Sequence, residues 1–358
     1  MDKVTSIKSI LETIRADETS RFECDENALM QEYLNKSKEK SSLAIKVLSI
    51  FGGFLASLAF ISFLFILGLY DSAPGLLIFG IGLIVAAILL NKKYDKLIVD
   101  TVSISAYIIG FILLILALAQ YNVGENGIAA LIIVIAICCM VIVQRYMLSF
   151  ISLLAINASF LFMIISNDLY DFIHIYIAIN TFLLAYWFIN EAEIITSGIK
   201  LSKLYDPVRI ALLFSLLFGF VAIGKRDLMP LSFGYVWLSS LTIFSAIIYL
   251  VHYISGIVGV SSMKNKVVLY TLSAFILLPT VFAPAISGAI LIILLSFMTN
   301  YKTGLVIGII SLIYFVSQYY YDLNLTLLTK SIILMVSGVI FILFYLFTSK
   351  KLRVYEKD

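Results

Sequence analysis

Few side chains in the long apolar runs of this chain carry chemical function, and three of them lie close together in the sequence. Asn157 falls near the middle of one apolar run, while His174 and Asn180 fall early and midway in the next. Polar groups in such surroundings are costly and need an explanation. One interpretation is that the three side chains line a polar path. The other is that the two asparagines form hydrogen bonds between neighbouring helices and fix their packing.

No constellation typical of an enzyme is visible in the sequence. The chain has 2 histidines and 3 cysteines, and neither set has the spacing of a metal site. The sequence contains no glycine-rich phosphate loop, no HExxH motif and no GxSxG motif. We therefore expect no catalytic residue, no metal and no cofactor. We also do not expect nucleic acid as a partner, because the basic residues are explained by membrane topology.

An acidic and a basic residue flank the turn before the last apolar run. Asp322 follows three tyrosines at the end of one run, and Lys330 begins the next. The seven residues between them are enough to reverse the chain, so Asp322 and Lys330 can form a structural ion pair that pins a helical hairpin. The alternative is that Lys330 extends towards water and marks the membrane boundary.

A tyrosine followed by an aspartate recurs at the ends of apolar runs. The pair occurs at Tyr70–Asp71, Tyr170–Asp171 and Tyr321–Asp322. One interpretation is an acidic, aromatic outer rim that attracts a cation or a sugar. The other is that tyrosine is simply common where a helix leaves the membrane, which the same dipeptide at inner helix ends favours.

The composition requires an apolar environment for most of the chain. Of its 358 residues, 62% are hydrophobic and only 13% are charged. Soluble domains are nearer half apolar and a quarter charged, and a single soluble core cannot bury this many apolar side chains. The sequence therefore predicts an integral membrane protein with the lipid bilayer as its main partner.

Apolar runs of helical length follow one another from residue 47. Because runs such as LIIVIAICCMVIV do not alternate in polarity, they favour helices over the strands of a barrel. The predicted fold is an all-α transmembrane bundle of about 12 spans. The spans are 47–70, 75–91, 99–119, 127–143, 147–165, 172–190, 208–224, 233–254, 267–282, 285–299, 303–320 and 331–348. The two short runs within 267–299 fit either a hairpin or one kinked helix.

The distribution of basic residues predicts the orientation. With twelve spans and the N-terminus inside, all of the 25 Lys and Arg residues except Lys225, Arg226 and Lys330 fall on the inner side. This is the asymmetry of the positive-inside rule. We expect a cytoplasmic (inner) membrane protein with both termini in the cytoplasm, a membrane domain over 47–348 and a basic cytoplasmic tail over 349–358.

The first 46 residues differ from the rest of the chain in being polar. Ile7, Ile10, Leu11 and Ile14 repeat at helical spacing, and a second such pattern begins after Asp25. We predict a short cytoplasmic segment of two amphipathic helices over 1–46. These helices either pack under the membrane domain or dock a partner or lipid headgroups.

The segment YYYDLNLTLLTKSIILMVSGVIFIL resembles the closing part of an uncharacterised bacterial integral-membrane family, domain of unknown function 4401 (DUF4401). The matching positions are Tyr320, Tyr321, Leu323, Leu327, Leu328, Lys330, Ser331 and Gly338. The resemblance implies a multi-pass membrane protein and names no activity or ligand. It also implies a protein of the GDYXXLXY type as a natural partner.

Two functions fit these observations. The first is a transporter or permease-like protein for a small solute or lipid-like molecule, because proline-broken helices and mid-membrane polar groups are typical of transporters. The second is a membrane component that does not transport and instead holds an envelope partner, which the sparse polarity and short loops favour. A polar cavity at mid-depth that reaches His174, Asn157 or Asn180 would favour the first.

Overall fold

The structure is a computed structural model, and it describes residues 43–94, 97–224, 229, 235–257 and 263–322, with isolated positions up to 342. Within these residues the chain is helical and has no strand, which confirms the predicted all-α class. The predicted cytoplasmic segment 1–46 lies almost wholly outside the described residues. The tail 349–358 and most of the last predicted span, 331–348, lie outside them as well.

The described helices follow the apolar runs of the sequence. They are α1 Leu43–Ile66, α2 Ala73–Lys93, α3 Leu97–Gln120, α4 Glu125–Ile142, α5 Tyr146–Ser166, α6 Ile173–Ile189, α7 Glu191–Thr196, α8 Ile199–Gly224, α9 Val236–Ile257, α10 Met263–Leu277, α11 Pro284–Met298 and α12 Lys302–Asp322. Short 3₁₀ turns lie at Leu69–Asp71, Tyr170–Phe172 and Leu278–Thr280.

Among the described residues, 8 helices are long and apolar enough to cross a membrane. These are α2, α3, α4, α5, α6, α8, α9 and α12, whereas α10 and α11 are apolar but shorter. A helix of about 20 residues is needed to cross the hydrocarbon core. The multi-pass prediction therefore agrees with the structure, and the count of about twelve spans stays a prediction.

The chain divides into two compact units, Met1–Leu67 and Gly68–Asp358. In the first unit, α1 is a 24-residue apolar helix. In the second unit, α8 begins at Ile199, nine residues before the predicted span at 208. Its first turns carry the exposed residues Lys200 and Lys203, so the apolar pattern alone does not reveal them as helical.

Successive long helices of the second unit run in opposite directions. At one end of the unit, Gln120 at the end of α3 donates to the backbone of Tyr70, which precedes α2. At the same end, Asn126 at the start of α4 exchanges two amide hydrogen bonds with Asn167, which follows α5. In the first turn of α6, the Tyr176 hydroxyl donates to the Ser215 carbonyl in the second half of α8. These contacts give an up-and-down bundle.

The two short runs within 267–299 form two helices that run in opposite directions, as a hairpin does. α10 is antiparallel to α9, because Ser240 contacts Val281 near one end and His252 contacts Tyr270 near the other. α11 then returns towards Tyr301, which meets Phe188 at the far end of α6. The break between α10 and α11 is supported by Ser240 Oγ, which donates to the Val281 carbonyl at 2.6 Å and so satisfies backbone freed from the helix.

The second unit contains two hydrophobic cores. One is formed by residues of α2, α3 and α4 with the start of α5, and it centres on the fully buried Tyr107. The other is formed by α6 and α8 to α12 and includes Phe188 and Phe220. α5 joins them, since its Phe150 contacts Phe214 of α8 edge-on, with ring centroids 6.1 Å apart.

The described Lys and Arg residues of this unit separate to one end, whereas its described Asp and Glu residues lie at both ends, with Asp100, Glu191, Glu193 and Asp206 beside the cations. One end, here called the basic end, holds every described Lys and Arg of the unit. They are Lys92, Lys93, Arg145, Lys200, Lys203, Arg209, Lys264, Lys266 and Lys302. The opposite end, here called the acidic end, holds Asp71, Glu125, Asp168, Asp171 and Asp322.

Candidate functional site

A groove between α5 and α6 is lined by two of the polar residues that the sequence singled out, Asn157 and Asn180. Its volume is about 560 Å³, within the range of about 300–1,000 Å³ that is usual for ligand pockets. α5 and α6 follow each other in the chain, but α5 packs mainly on α4 and α8, which leaves a cleft in front of α6. Leu212 of α8 closes the back of the cleft.

The groove is lined by apolar and neutral polar side chains. The lining residues are Asn126, Leu153, Ile156, Asn157, Phe160, Met163, Ile164, Asn167, Leu169, Phe172, Ile175, Tyr176, Ile179, Asn180, Leu183 and Leu212. Phe160, Ile175 and Ile179 are each about half exposed on the outer surface of the bundle. Because they lie on helices apolar enough to span a membrane, the groove opens where lipid chains would lie.

The structure brings two of the three predicted path residues together in this groove. Asn157 lies nine residues before the end of α5, and Asn180 seven residues after the start of α6. At 1.5 Å per helical residue, both amides lie roughly 10–14 Å from the acidic end. Each Nδ2 donates to a carbonyl of its own helix, Asn157 to Leu153 and Asn180 to Tyr176, both at 3.0 Å. These two bonds do not join neighbouring helices.

Asn180 keeps an unused hydrogen-bonding group. Its side chain is 3% exposed, and its Oδ1 has no partner among the described residues. The Nδ2 bond to Tyr176 fixes which end of the amide faces the helix, so the remaining atom is an acceptor. Buried acceptors are nearly always paired, so this atom calls for a donor, which a water molecule or a ligand could supply.

His174 lies outside the lining of the groove. Its Nδ1 is 2.7 Å from Ser239 Oγ of α9, so the imidazole joins α6 to α9 at the acidic end. Its side chain is buried, and its Nε2 has no partner in the described part of the chain. The structure therefore separates the predicted path into two asparagines in a groove and one histidine between helices.

The residues of the predicted outer rim occupy one end of the bundle. Tyr70–Asp71 and Tyr170–Asp171 each lie in a 3₁₀ turn at the acidic end, and Tyr321 lies near the end of α12 at the same level. The Tyr170 hydroxyl donates to Asp168 at 2.6 Å. Their shared position is compatible with a rim, and binding there stays a prediction. The ion pair predicted between Asp322 and Lys330 lies outside the described side chains.

The sequence analysis missed a buried cation at the basic end. Arg209 is 7% exposed and forms ion pairs with Asp206 and Glu191, at 2.5 and 3.6 Å. Its guanidinium carbon lies 3.7 Å from the ring centroid of Tyr301, and it also donates to the Tyr205 hydroxyl. The sequence analysis counted Arg209 among the inner basic residues, at the start of the predicted span 208–224, and the spacing of Asp206 and Arg209 was the one available signal of pairing.

Tyr301 lies in the turn between α11 and α12, so its contact with Arg209 joins that turn to α8. Burial raises the pKa of the Tyr301 phenol, and the nearby guanidinium opposes this rise. The phenol is therefore neutral at physiological pH and presents its ring face to the cation.

A known protein family covers most of the chain. The family model described as "Domain of unknown function (DUF4401)" matches residues 42–351, which confirms the resemblance predicted from the segment that contains Lys330 and Ser331. Neither a curated protein nor a solved structure matches the chain.

Proposed function

The chain belongs to the DUF4401 family, and we propose that it is a permease-like membrane protein that binds and moves a small lipid-like molecule. The observation that carries this proposal is the groove between α5 and α6, which combines an apolar lining with two asparagines at mid-depth. We propose no catalytic step, metal or cofactor for this activity.

The lining of the groove favours a lipid-like molecule over a hydrophilic solute. It contains no Asp, Glu, Lys or Arg, so a charged solute would lose its hydration without gaining a counterion. An apolar chain loses nothing by leaving the bilayer for this groove, because Phe160 and Ile179 at its rim are themselves exposed to the same surroundings.

The position of the groove favours movement of the ligand. It lies between α5, which packs against both cores, and α6, which belongs to the second. Transporters commonly place their sites near the membrane midplane, between bundles that move relative to one another. α5 and α6 are connected by a segment that contains Asp168, with a φ of 56°, and the 3₁₀ turn Tyr170–Phe172. The connection is therefore ordered but not α-helical.

The charges of the bundle support an orientation. The basic end carries all described Lys and Arg residues of the second unit, and cationic ends face the cytoplasm in membrane proteins. We therefore place the basic end in the cytoplasm and the acidic end, near Asn126 and Asn167, on the outer side of the cytoplasmic membrane.

Transfer of a fluorescent lipid analogue across proteoliposome membranes tests the proposal. We expect the purified protein to increase the rate at which a membrane-impermeant quencher reaches a short-chain nitrobenzoxadiazole-labelled lipid initially in the inner leaflet. Ile179→Trp should return the rate to that of protein-free vesicles, because the larger ring fills the groove. Val134→Trp is the matched control, since Val134 is equally exposed on α4 and does not line the groove.

Equal rates with and without the protein would contradict the permease proposal. That outcome would favour the second function, a membrane component that holds an envelope protein such as one of the GDYXXLXY type. Equal inhibition by Ile179→Trp and Val134→Trp would likewise remove the groove from the transfer route.

A further inference from the structure

The unpaired acceptor of Asn180 restricts what the groove can bind. Its Oδ1 is buried, it belongs to a side chain that lines the groove, and it has no partner among the described residues. A molecule that satisfies this atom must donate a hydrogen bond. Ether and ester oxygens do not donate, and neither does an alkyl chain, so a purely apolar ligand leaves the cost of the buried acceptor in place.

The same lining excludes a charged donor. An ammonium group would donate to Asn180 Oδ1, but the groove offers it no carboxylate. The acidic residues that adjoin lining residues in the sequence, Glu125, Asp168 and Asp171, lie at the acidic end, about 10 Å from Asn180 along α6. The donor at the depth of Asn180 must therefore be neutral.

We infer that the groove binds a neutral long-chain alcohol, whose hydroxyl donates to Asn180 Oδ1 and whose chain lies against the apolar rim. This rests on the proposed function and names the substrate class of the same groove. Ile179 and Leu183 flank Asn180 on the exposed face of α6 and offer the chain a continuous apolar surface. The hydroxyl supplies the hydrogen bond that neither Tyr176 nor the rest of the lining supplies.

Photo-crosslinking with two matched probes tests the inference. The protein in lipid nanodiscs is labelled with a diazirine derivative of hexadecanol or with the methyl ether of the same compound, and the labelled peptides are identified by mass spectrometry. We expect the alcohol to label peptides of α5 and α6 about three- to tenfold more strongly at limiting concentration, as one neutral hydrogen bond requires. The ether has the same chain and cannot donate.

Variants then assign the preference to one atom. Asn180→Leu keeps a side chain of similar size and removes the acceptor, so the alcohol should label this variant no more strongly than the ether does. Asn190→Leu is the matched control: the Asn190 amide also donates to the carbonyl four residues earlier, on Tyr186, but does not line the groove. This variant should keep the preference for the alcohol.

The outcomes separate this inference from the proposed function. Equal labelling of the groove by alcohol and ether in the unaltered protein would refute the hydroxyl contact and leave a groove that binds lipid-like chains. Labelling of the groove by neither probe would refute both. A preference for the alcohol that persists in Asn180→Leu would also overturn the inference, because the donor would then bind elsewhere.

Discussion

Arg209 is held at the basic end by contacts that a lysine does not reproduce. Its guanidinium lies over the face of Tyr301 while donating to Asp206 and to the Tyr205 hydroxyl, and Glu191 adds a further negative charge. A planar guanidinium can stack and donate in several directions at once, whereas an ammonium is a compact point charge. The residue therefore joins α7, α8 and the turn after α11 through one side chain.

Arg209→Lys should destabilise the protein by about 1–3 kcal/mol, because the stacking on Tyr301 and part of the hydrogen bonding are lost while a buried charge remains. The change is measured as a lower apparent melting temperature in nanodiscs, followed by fluorescence of Trp187, which stacks on Tyr205 beside the site. Lys200→Arg, an exchange at an exposed position of the same helix, is the control. Equal melting temperatures for both variants would show that the cluster contributes nothing to stability.

The sequence showed which side chains are unusual in an apolar run, but not which residues they contact. Asn157 and Asn180 were singled out because amides are rare in apolar runs, and both line the groove. The sequence did not show that Arg209 is buried, because its contact with Tyr301 comes from far along the chain. Hydropathy measures the composition around a residue, and a contact between distant segments leaves no trace in it.

The packing of α2 against α3 depends on two glycines that face each other. A Cβ built on Gly80 would lie 3.1 Å from the Gly110 carbonyl oxygen and 3.0 Å from the Leu114 nitrogen. Backbone atoms cannot move aside as a side chain can, so the helices must separate to accept even a methyl group. α12 and α11 are also in close contact at Gly308, where a Cβ would lie 2.8 Å from Ile293 Cγ1 and 3.2 Å from the Ile293 nitrogen.

Gly80→Ala should lower the free energy of unfolding by about 1–3 kcal/mol through this overpacking, despite the better helix propensity of alanine. Gly82→Ala, two residues along the same helix, is the control, since a Cβ there meets nothing within 4 Å. Gly82→Ala should leave the protein as stable or slightly stabilise it. The measurement is the denaturant dependence of unfolding in mixed micelles, and a loss of similar size in both variants would refute the close-packing argument.

The sequence predicted where the helices lie along the chain, but not which helices pack against each other. The first eleven predicted spans each correspond to a described helix, because a long apolar run in lipid has no other way to satisfy its backbone. The sequence did not show that α5 packs on α8 and leaves a cleft in front of α6. Which helices pack against each other depends on contacts between side chains, such as that of Phe150 with Phe214.

The second unit combines a gathering of cations at one end with a division into two cores. The groove does not follow the boundary between the cores, because α5 also packs on α8 and places Leu153, Leu161 and Ile164 against the core that contains α6. The core around Tyr107 and the core around Phe220 each have their own buried contacts. A ligand held between α5 and α6 contacts two helices that pack little on each other, so a change in their spacing would alter the width of the groove.

The gathering of Lys and Arg residues at one end predicts which end of the protein faces the cytoplasm. In a variant with Cys24, Cys138 and Cys139 replaced by alanine, a membrane-impermeant maleimide applied to right-side-out vesicles should label Glu125→Cys at the acidic end. Lys200→Cys at the basic end should react only after permeabilisation, because cationic segments stay in the cytoplasm. Both positions are exposed, so access depends on the side of the membrane. Labelling of Lys200→Cys in sealed vesicles would reverse the orientation, and labelling of both would contradict an up-and-down bundle in a bilayer.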